Sequence, residues 1–271
     1  MSRIAAAFAD LRARDAVGLI PYFTAGDPDL DVTLDLVRAA VAEGADAIEL
    51  GIPFSDPMAD GPVLQRSAIR ALAAHTSLPR VLEAVATLRR EITVPIVLFG
   101  YYNPIFRYGV EAAARDAATA GADGFLCVDL PPEENADLRA AAHAHGLDLI
   151  ALLAPTTPAA RIKMIAKQAS GFLYFVSVLG VTGGRDALPA ELPGLVRRVR
   201  GLTDLPIGVG FGVQRPEQAA WVGGFADAVI VGSAIARVIE EAPRRDVVPR
   251  VADFLRGLRS AVRDGARART A

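Results

Sequence analysis

Glu49 closes a run, Asp46–Gly51, that otherwise reads as a buried strand. A lone carboxylate there loses its hydration unless it is partnered or used. Two readings follow: a structural ion pair, or an acid/base group whose pKa is raised by apolar surroundings. The next segment, Pro53-Phe54-Ser55-Asp56-Pro57-Met58-Ala59-Asp60-Gly61, brings two more carboxylates on a proline-stiffened loop. Asp60 precedes Gly61-Pro62, where it could cap a helix as readily as serve chemistry. Three glycine clusters come later in the chain: Gly180-Val181-Thr182-Gly183-Gly184, Gly208-Val209-Gly210-Phe211-Gly212 and Gly232-Ser233-Ala234-Ile235. Glycines let backbone N–H groups approach an anion closely. A helix opening at Ser233 would add its positive end. Each cluster alone is equally a turn; at successive strand ends they point to a phosphate. The Gly208–Val213 stretch lacks the third glycine of a dinucleotide fingerprint. Neither an H-x-x-x-H pattern nor paired Cys/His spacing suggests a metal, and none is expected.

These residues need a scaffold that gathers strand ends on one face. Eight short, near-continuous apolar segments read as strands covered on both sides: Val17–Phe23, Asp46–Gly51, Val94–Phe99, Gly124–Asp129, Leu147–Leu153, Gly171–Ser177, Leu205–Gly210 and Ala226–Val231. Helical spacing fills the intervals, as in Leu34, Val37, Val41 and Leu82, Val85, Leu88. Strand–helix alternation implies parallel pairing through right-handed crossovers. A weak repeat supports a recurring unit. Glu43–Leu50, Ala120–Cys127 and Gly223–Ile230 each end a helix at glycine and open a strand after Ala-Asp. The expected fold is α/β: one closed (β/α)8 TIM barrel over 1–271, with an open doubly wound sheet as the alternative. An extra N-terminal helix over 1–14, extra helices after strands 2 and 8, and a frayed tail at 264–271 are expected. Within the barrel frame, alternation turns Glu49 inward and Ile48 and Leu50 toward the helices. Tyr101, Tyr102, Tyr174, Phe23 and Phe211 lie at or just past strand ends, where one or two should wall a pocket. Asp129 also ends a strand and is a secondary site candidate.

Composition bounds the partners. The 271 residues are 52% hydrophobic and 22% charged, with a formal net charge of -2 and no run of Lys or Arg. That balance supports a large core and offers no footprint for nucleic acid or an anionic membrane. Apolar runs are too short to span a bilayer, and the N-terminus does not read as a signal peptide. Cys127 is the single cysteine, so no internal disulfide can form. A cytoplasmic enzyme is expected.

The stretch Ile48–Gly61 resembles the signature of the tryptophan synthase alpha chain family. Similar stretches run through the chain: Phe23-Thr24-Ala25-Gly26-Asp27-Pro28, Tyr102-Asn103-Pro104, Asp129–Glu134, Gly180–Gly183, Gly210-Phe211-Gly212 and Gly232–Ile235. The resemblance implies retro-aldol cleavage of indole-3-glycerol phosphate to indole and glyceraldehyde 3-phosphate, the carbon–carbon lyase step of tryptophan biosynthesis. It matches Glu49 to the general acid/base, Asp60 to the carboxylate facing the indole N–H, and Thr182 to a loop residue that bonds Asp60 on closure. Gly183, Gly212, Gly232 and Ser233 match phosphate contacts. Tyr22, Phe99, Tyr101, Tyr174 and Phe211 fall where the family lines its indole pocket. Val178-Leu179 depart from members that carry a basic residue there. The resemblance further implies an α₂β₂ complex in which indole passes to a β chain holding pyridoxal phosphate, with no cofactor in this chain. Pro53, Asp56, Asn103 and Pro131 are where it places β contacts. Alternatives are another phosphate-binding barrel enzyme, a stand-alone lyase releasing indole, and a non-catalytic barrel that activates a partner.

Overall fold

A computed structural model describes the backbone of residues 1–177 and 188–270. Eight parallel strands close into a barrel in sequence order. They are β1 (Gly18–Thr24), β2 (Ile48–Gly51), β3 (Ile96–Gly100), β4 (Gly124–Cys127), β5 (Asp148–Leu153), β6 (Leu173–Val176), β7 (Ile207–Gly210) and β8 (Ala228–Val231). The helices are α1 (Arg3–Ala13), α2 (Leu30–Ala42), α3 (Pro62–Ala73), α4 (Leu78–Arg89), α5 (Tyr102–Tyr108), α6 (Val110–Ala120), α7 (Ala136–Ala144), α8 (Ala159–Gln168), α9 (Leu192–Arg200), α10 (Pro216–Gly223), α11 (Ser233–Glu241) and α12 (Val247–Thr270). Extra helices follow β2 and β8 as expected. A further short one, α5, follows β3, where the sequence showed only aromatics past a strand end. The segment expected to fray is helical through Thr270.

Two apolar layers form. Ile48 and Leu50 join the outer layer between strands and helices. The inner layer holds Ile20, Tyr22, Val97, Phe99, Leu126, Ile150, Phe172, Tyr174 and Ile230, together with Ile4, Phe8 and Leu11 of α1. The N-terminal helix therefore plugs one end of the barrel, with the Phe8 and Phe172 rings 5.5 Å apart. Ser2 accepts the Ala5 N–H to start that helix. Its hydroxyl donates to Asp148 at 2.6 Å, and Arg3 pairs with Asp123 at 2.7 Å. The open end is left to the loops that follow the strands.

The Ala-Asp repeat has a physical role. Asp46, Asp123 and Asp227 each precede a strand and accept a backbone N–H from the neighbouring strand. The donors are Leu19, Ile96 and Ile207, each at 2.8 Å. Each carboxylate also pairs with an arginine: Arg259, Arg89 and Arg200 respectively. These bonds start ladders that would otherwise open with an unpaired donor. The repeat's glycine is less uniform. Gly44 and Gly121 exit their helices with φ of 88° and 93°. The third copy does not: Gly224 stays right-handed at φ -68°. Small residues there serve a close approach of α10 to α12, since a Cβ on Gly265 would collide with the Ala220 carbonyl.

Candidate active site

β2 delivers Glu49 to the open end. Its Cα pairs in register with Tyr22 of β1 and Val97 of β3. Glu49 is 1% exposed, and among the described residues neither carboxylate oxygen has a hydrogen-bond partner. The structural ion pair is therefore excluded among the described residues. Burial alone pushes the Glu49 carboxyl up to about 8. A carboxyl group held proton-bearing at neutral pH beside a cavity is the profile of a general acid.

Asp60 reaches the same cavity from the loop after β2. Gly61, not Asp60, is the N-cap of α3, so the capping alternative does not hold. The Asp60 main chain is fixed instead: its N–H donates to the Pro57 carbonyl at 3.1 Å, and its carbonyl accepts from Gln65 at 2.9 Å. Burial raises the Asp60 pKa to about 6, opposed by a hydrogen bond from the Tyr101 hydroxyl. Asp60 is thus ionised at neutral pH while Glu49 is not. Two carboxyls whose environments separate their pKa values can divide acid and base roles.

Tyr101 is not among the residues that line the cavity; its phenol hydrogen-bonds the Asp60 carboxylate and accepts the Ala59 N–H at 3.0 Å. Asp129 does not line this cavity; its exposed carboxylate accepts the Tyr102 N–H at 2.7 Å at the start of α5.

The cavity encloses about 400 Å³ of space open to solvent. Tyr22, Glu49, Asp60, Phe99, Tyr174, Phe211, Gly212, Gly232 and Ser233 all line it. Two edge-on aromatic pairs make its walls: Tyr22 with Phe99 at 5.0 Å and Tyr174 with Phe211 at 5.6 Å. Room for the tyrosines is made by neighbouring glycines. A Cβ on Gly51 would strike the Tyr22 phenol, and one on Gly210 the Tyr174 phenol. So Gly210, grouped in the sequence with anion-binding glycines, serves packing. Phe211 and Gly212 take left-handed backbone, φ 66° and 81°. For phenylalanine that is a strained conformation, found where a site over-determines the backbone. The Ser177 hydroxyl donates to the Phe211 carbonyl and helps hold it.

Gly232 and Ser233 open α11, whose N-cap makes no side-chain hydrogen bond. The first-turn N–H groups of a helix lack intrahelical acceptors, and since Gly232 and Ser233 line the cavity this helix start could hold a phosphate. Thr182 and Gly183 lie outside the described residues. Leu64, Val213 and Ile230 also line the cavity and were not singled out in the sequence. Val128, Leu152 and Val176 pack on the inner layer at the same end. Stepping two residues from Leu126, Ile150 and Tyr174 would have found them.

Asp56, Asn103 and Pro131 are exposed on the loops or helix starts after β2, β3 and β4, whereas Pro53 is buried. Met58 and Phe106, 88% and 64% exposed, stand on the same two segments as Asp56 and Asn103.

The sequence model of the tryptophan synthase alpha chain family matches residues 8–262. A tryptophan synthase alpha chain from Geobacter sp. (strain M21) is 51% identical over 267 residues, covering 98% of this chain and 100% of the relative. One from Roseiflexus sp. (strain RS-1) is 51% identical over 260 residues, 96% of this chain and 100% of the relative. Among solved structures, tryptophan synthase subunit alpha from Legionella pneumophila str. Paris superposes with TM-score 0.90 at 42% identity, covering 97% of this chain and 98% of that one. A chain of Mycobacterium tuberculosis tryptophan synthase gives TM-score 0.88 at 37% identity over 97% and 98%. The chain belongs to the tryptophan synthase alpha chain family.

Proposed function

We propose that Glu49 and Asp60 carry out the family's cleavage of indole-3-glycerol phosphate in this chain. The observation that carries the reading is Glu49: buried, unpartnered among the described residues, and at the mouth of an aromatic-walled cavity. The proton-bearing carboxyl protonates the indole ring carbon that bears the glycerol chain. Asp60, ionised, accepts the indole N–H and stabilises the positive charge that develops on the ring. The resulting Glu49 carboxylate takes the proton from the adjacent side-chain hydroxyl. The bond between ring and side chain then breaks, its electron pair returns to the ring, and the hydroxyl carbon becomes the aldehyde. The proton given by Glu49 is recovered, so the step needs no redox partner and no cofactor in this chain. The first turn of α11 and Gly212 hold the phosphate, and the aromatic pairs hold the indole.

The chain works with a β chain in an α₂β₂ assembly, in the cytoplasm, and the pyridoxal phosphate belongs to that partner. Support comes from the likeness to a chain of a solved tryptophan synthase and from the exposed Asp56, Met58, Asn103, Phe106 and Pro131 beside the mouth. Among the described residues no helix is long and apolar enough to cross a membrane. The test is indole formation from indole-3-glycerol phosphate by the purified chain, with and without a β chain. Indole production that rises with the partner is expected. Equal rates would favour a stand-alone lyase, and no indole under either condition would overturn the reading.

A further inference from the structure

Asp27 sits in the loop after β1, inside the Phe23–Pro28 stretch that no step of the chemistry uses. Its side chain is 0% exposed. A buried carboxylate must be heavily partnered to stay folded in, and this one is. Arg70 of α3 donates to both oxygens, Nε at 2.7 Å and Nη2 at 2.8 Å. Ser67, also on α3, donates its hydroxyl to the same carboxylate. Arg70 then reaches out of α3 with its remaining nitrogen and meets Glu240 of α11 at 2.8 Å. Arg66, one turn earlier on α3, grips Glu240 through two bonds at 2.6 and 2.7 Å. Held by both arginines, the Glu240 carboxyl is pulled down to about 2.

The two helices joined in this way both border the cavity. Asp60 just before α3 and Leu64 in its first turn line it, as do Gly232 and Ser233 at the start of α11. Glu240 lies seven residues after Ser233, about 10 Å along the helix at the usual rise. The network therefore acts at a distance from the ligand and touches none of it. It fixes the angle and spacing between the carboxylate that faces the indole ring and the N-terminus that seats the phosphate. Bidentate guanidinium–carboxylate pairs suit such a task, because they restrict orientation as well as distance.

We propose that Asp27, through Arg70 and Glu240, is a positioning residue that sets the separation between the indole and phosphate halves of the site. This rests on the lyase reading for what the two halves bind. The consequence is specific. A ligand joining both halves gains from their preset spacing, whereas either half alone gains nothing from it.

The test compares three probes on the full chain: glycerol 3-phosphate, indole, and a non-cleavable indole–propyl phosphate that joins the two. Dissociation constants are measured for wild type, Asp27→Asn and Glu240→Gln. Asp27→Asn removes a charge from a buried pair, so Glu240→Gln, at the accessible end of the network, covers the case in which it does not fold. Loosening the brace should weaken the joined probe on the order of 10- to 100-fold, while each half-probe changes by less than about three-fold. An unchanged joined-probe constant in a folded variant overturns the proposal. So does a proportional weakening of all three probes, which marks a merely structural role. Indole release by wild type is followed in parallel. A wild type that binds every probe but releases no indole overturns the lyase reading, while the constants still decide the brace.

Discussion

Glu49 sits in its cavity at an energetic cost that pH should reveal. Its folded-state pKa, about 8, lies above the ordinary 4.5. Below 4.5 both native and unfolded chains hold the proton. Between 4.5 and 8 the unfolded chain releases it and the native chain does not, so stability falls as pH rises through that window. Glu49→Gln removes this penalty. The variant should be more stable than wild type by roughly 2–5 kcal/mol above pH 8, with the difference vanishing near pH 4. Urea denaturation across that range checks it; a pH-independent difference would mean that the Glu49 pKa is the same in the folded and unfolded chains. Asp60 predicts the other limb of activity. With Asp60 near 6 and Glu49 near 8, kcat/KM of the free enzyme should be bell-shaped between those values. Tyr101→Phe removes the hydrogen bond that favours ionised Asp60. Its acidic limb should move to higher pH, and a limb that stays in place would assign it to another group.

At the scale of elements, the Ala-Asp repeat makes the clearest prediction. Asp123 is buried and accepts the Ile96 N–H while pairing with Arg89 and Arg3. Asp123→Ala leaves the buried Ile96 N–H without its acceptor and the Arg89 charge without its carboxylate, with only backbone carbonyls left to it. It should cost roughly 2–4 kcal/mol of stability, with little change in turnover by the molecules that remain folded. A loss of kcat at full stability would contradict that division of labour. The repeat was visible in the sequence because the unit recurs, but its meaning was not, because the acceptor role lies across to another strand. The same limit explains other differences. Asp129 was read as a strand end facing the mouth, and its bond to Tyr102 across the β3–β4 edge is invisible to one-dimensional spacing. Tyr101 shares its strand-end position with the aromatics that line the cavity; its hydrogen bond to Asp60 depends on the path of the Pro53–Gly61 loop. The inward aim of Glu49, by contrast, followed from period-two alternation alone. The cavity's Leu64 comes from helix α3, which no strand pattern reports.

The whole molecule divides its labour between two ends. Helix α1 seals one end with Phe8 against Phe172, and the other holds the cavity and exposes Met58 and Phe106. Exposed apolar side chains beside a site are suited to a partner. Met58→Asp and Phe106→Asp should leave the lone chain's rate unchanged and reduce stimulation by a β chain. Full stimulation of both variants would place the contact elsewhere. The proposed reaction depends on one proton carrier in this frame. The most direct measurement is indole release by Glu49→Gln under saturating indole-3-glycerol phosphate, with binding of the non-cleavable indole–propyl phosphate measured on the same sample. Gln keeps the shape and cannot exchange the proton. Unchanged binding with a rate lower by at least about 10³-fold is predicted. Near-wild-type release of indole by a folded, ligand-binding Glu49→Gln would contradict proton transfer by Glu49.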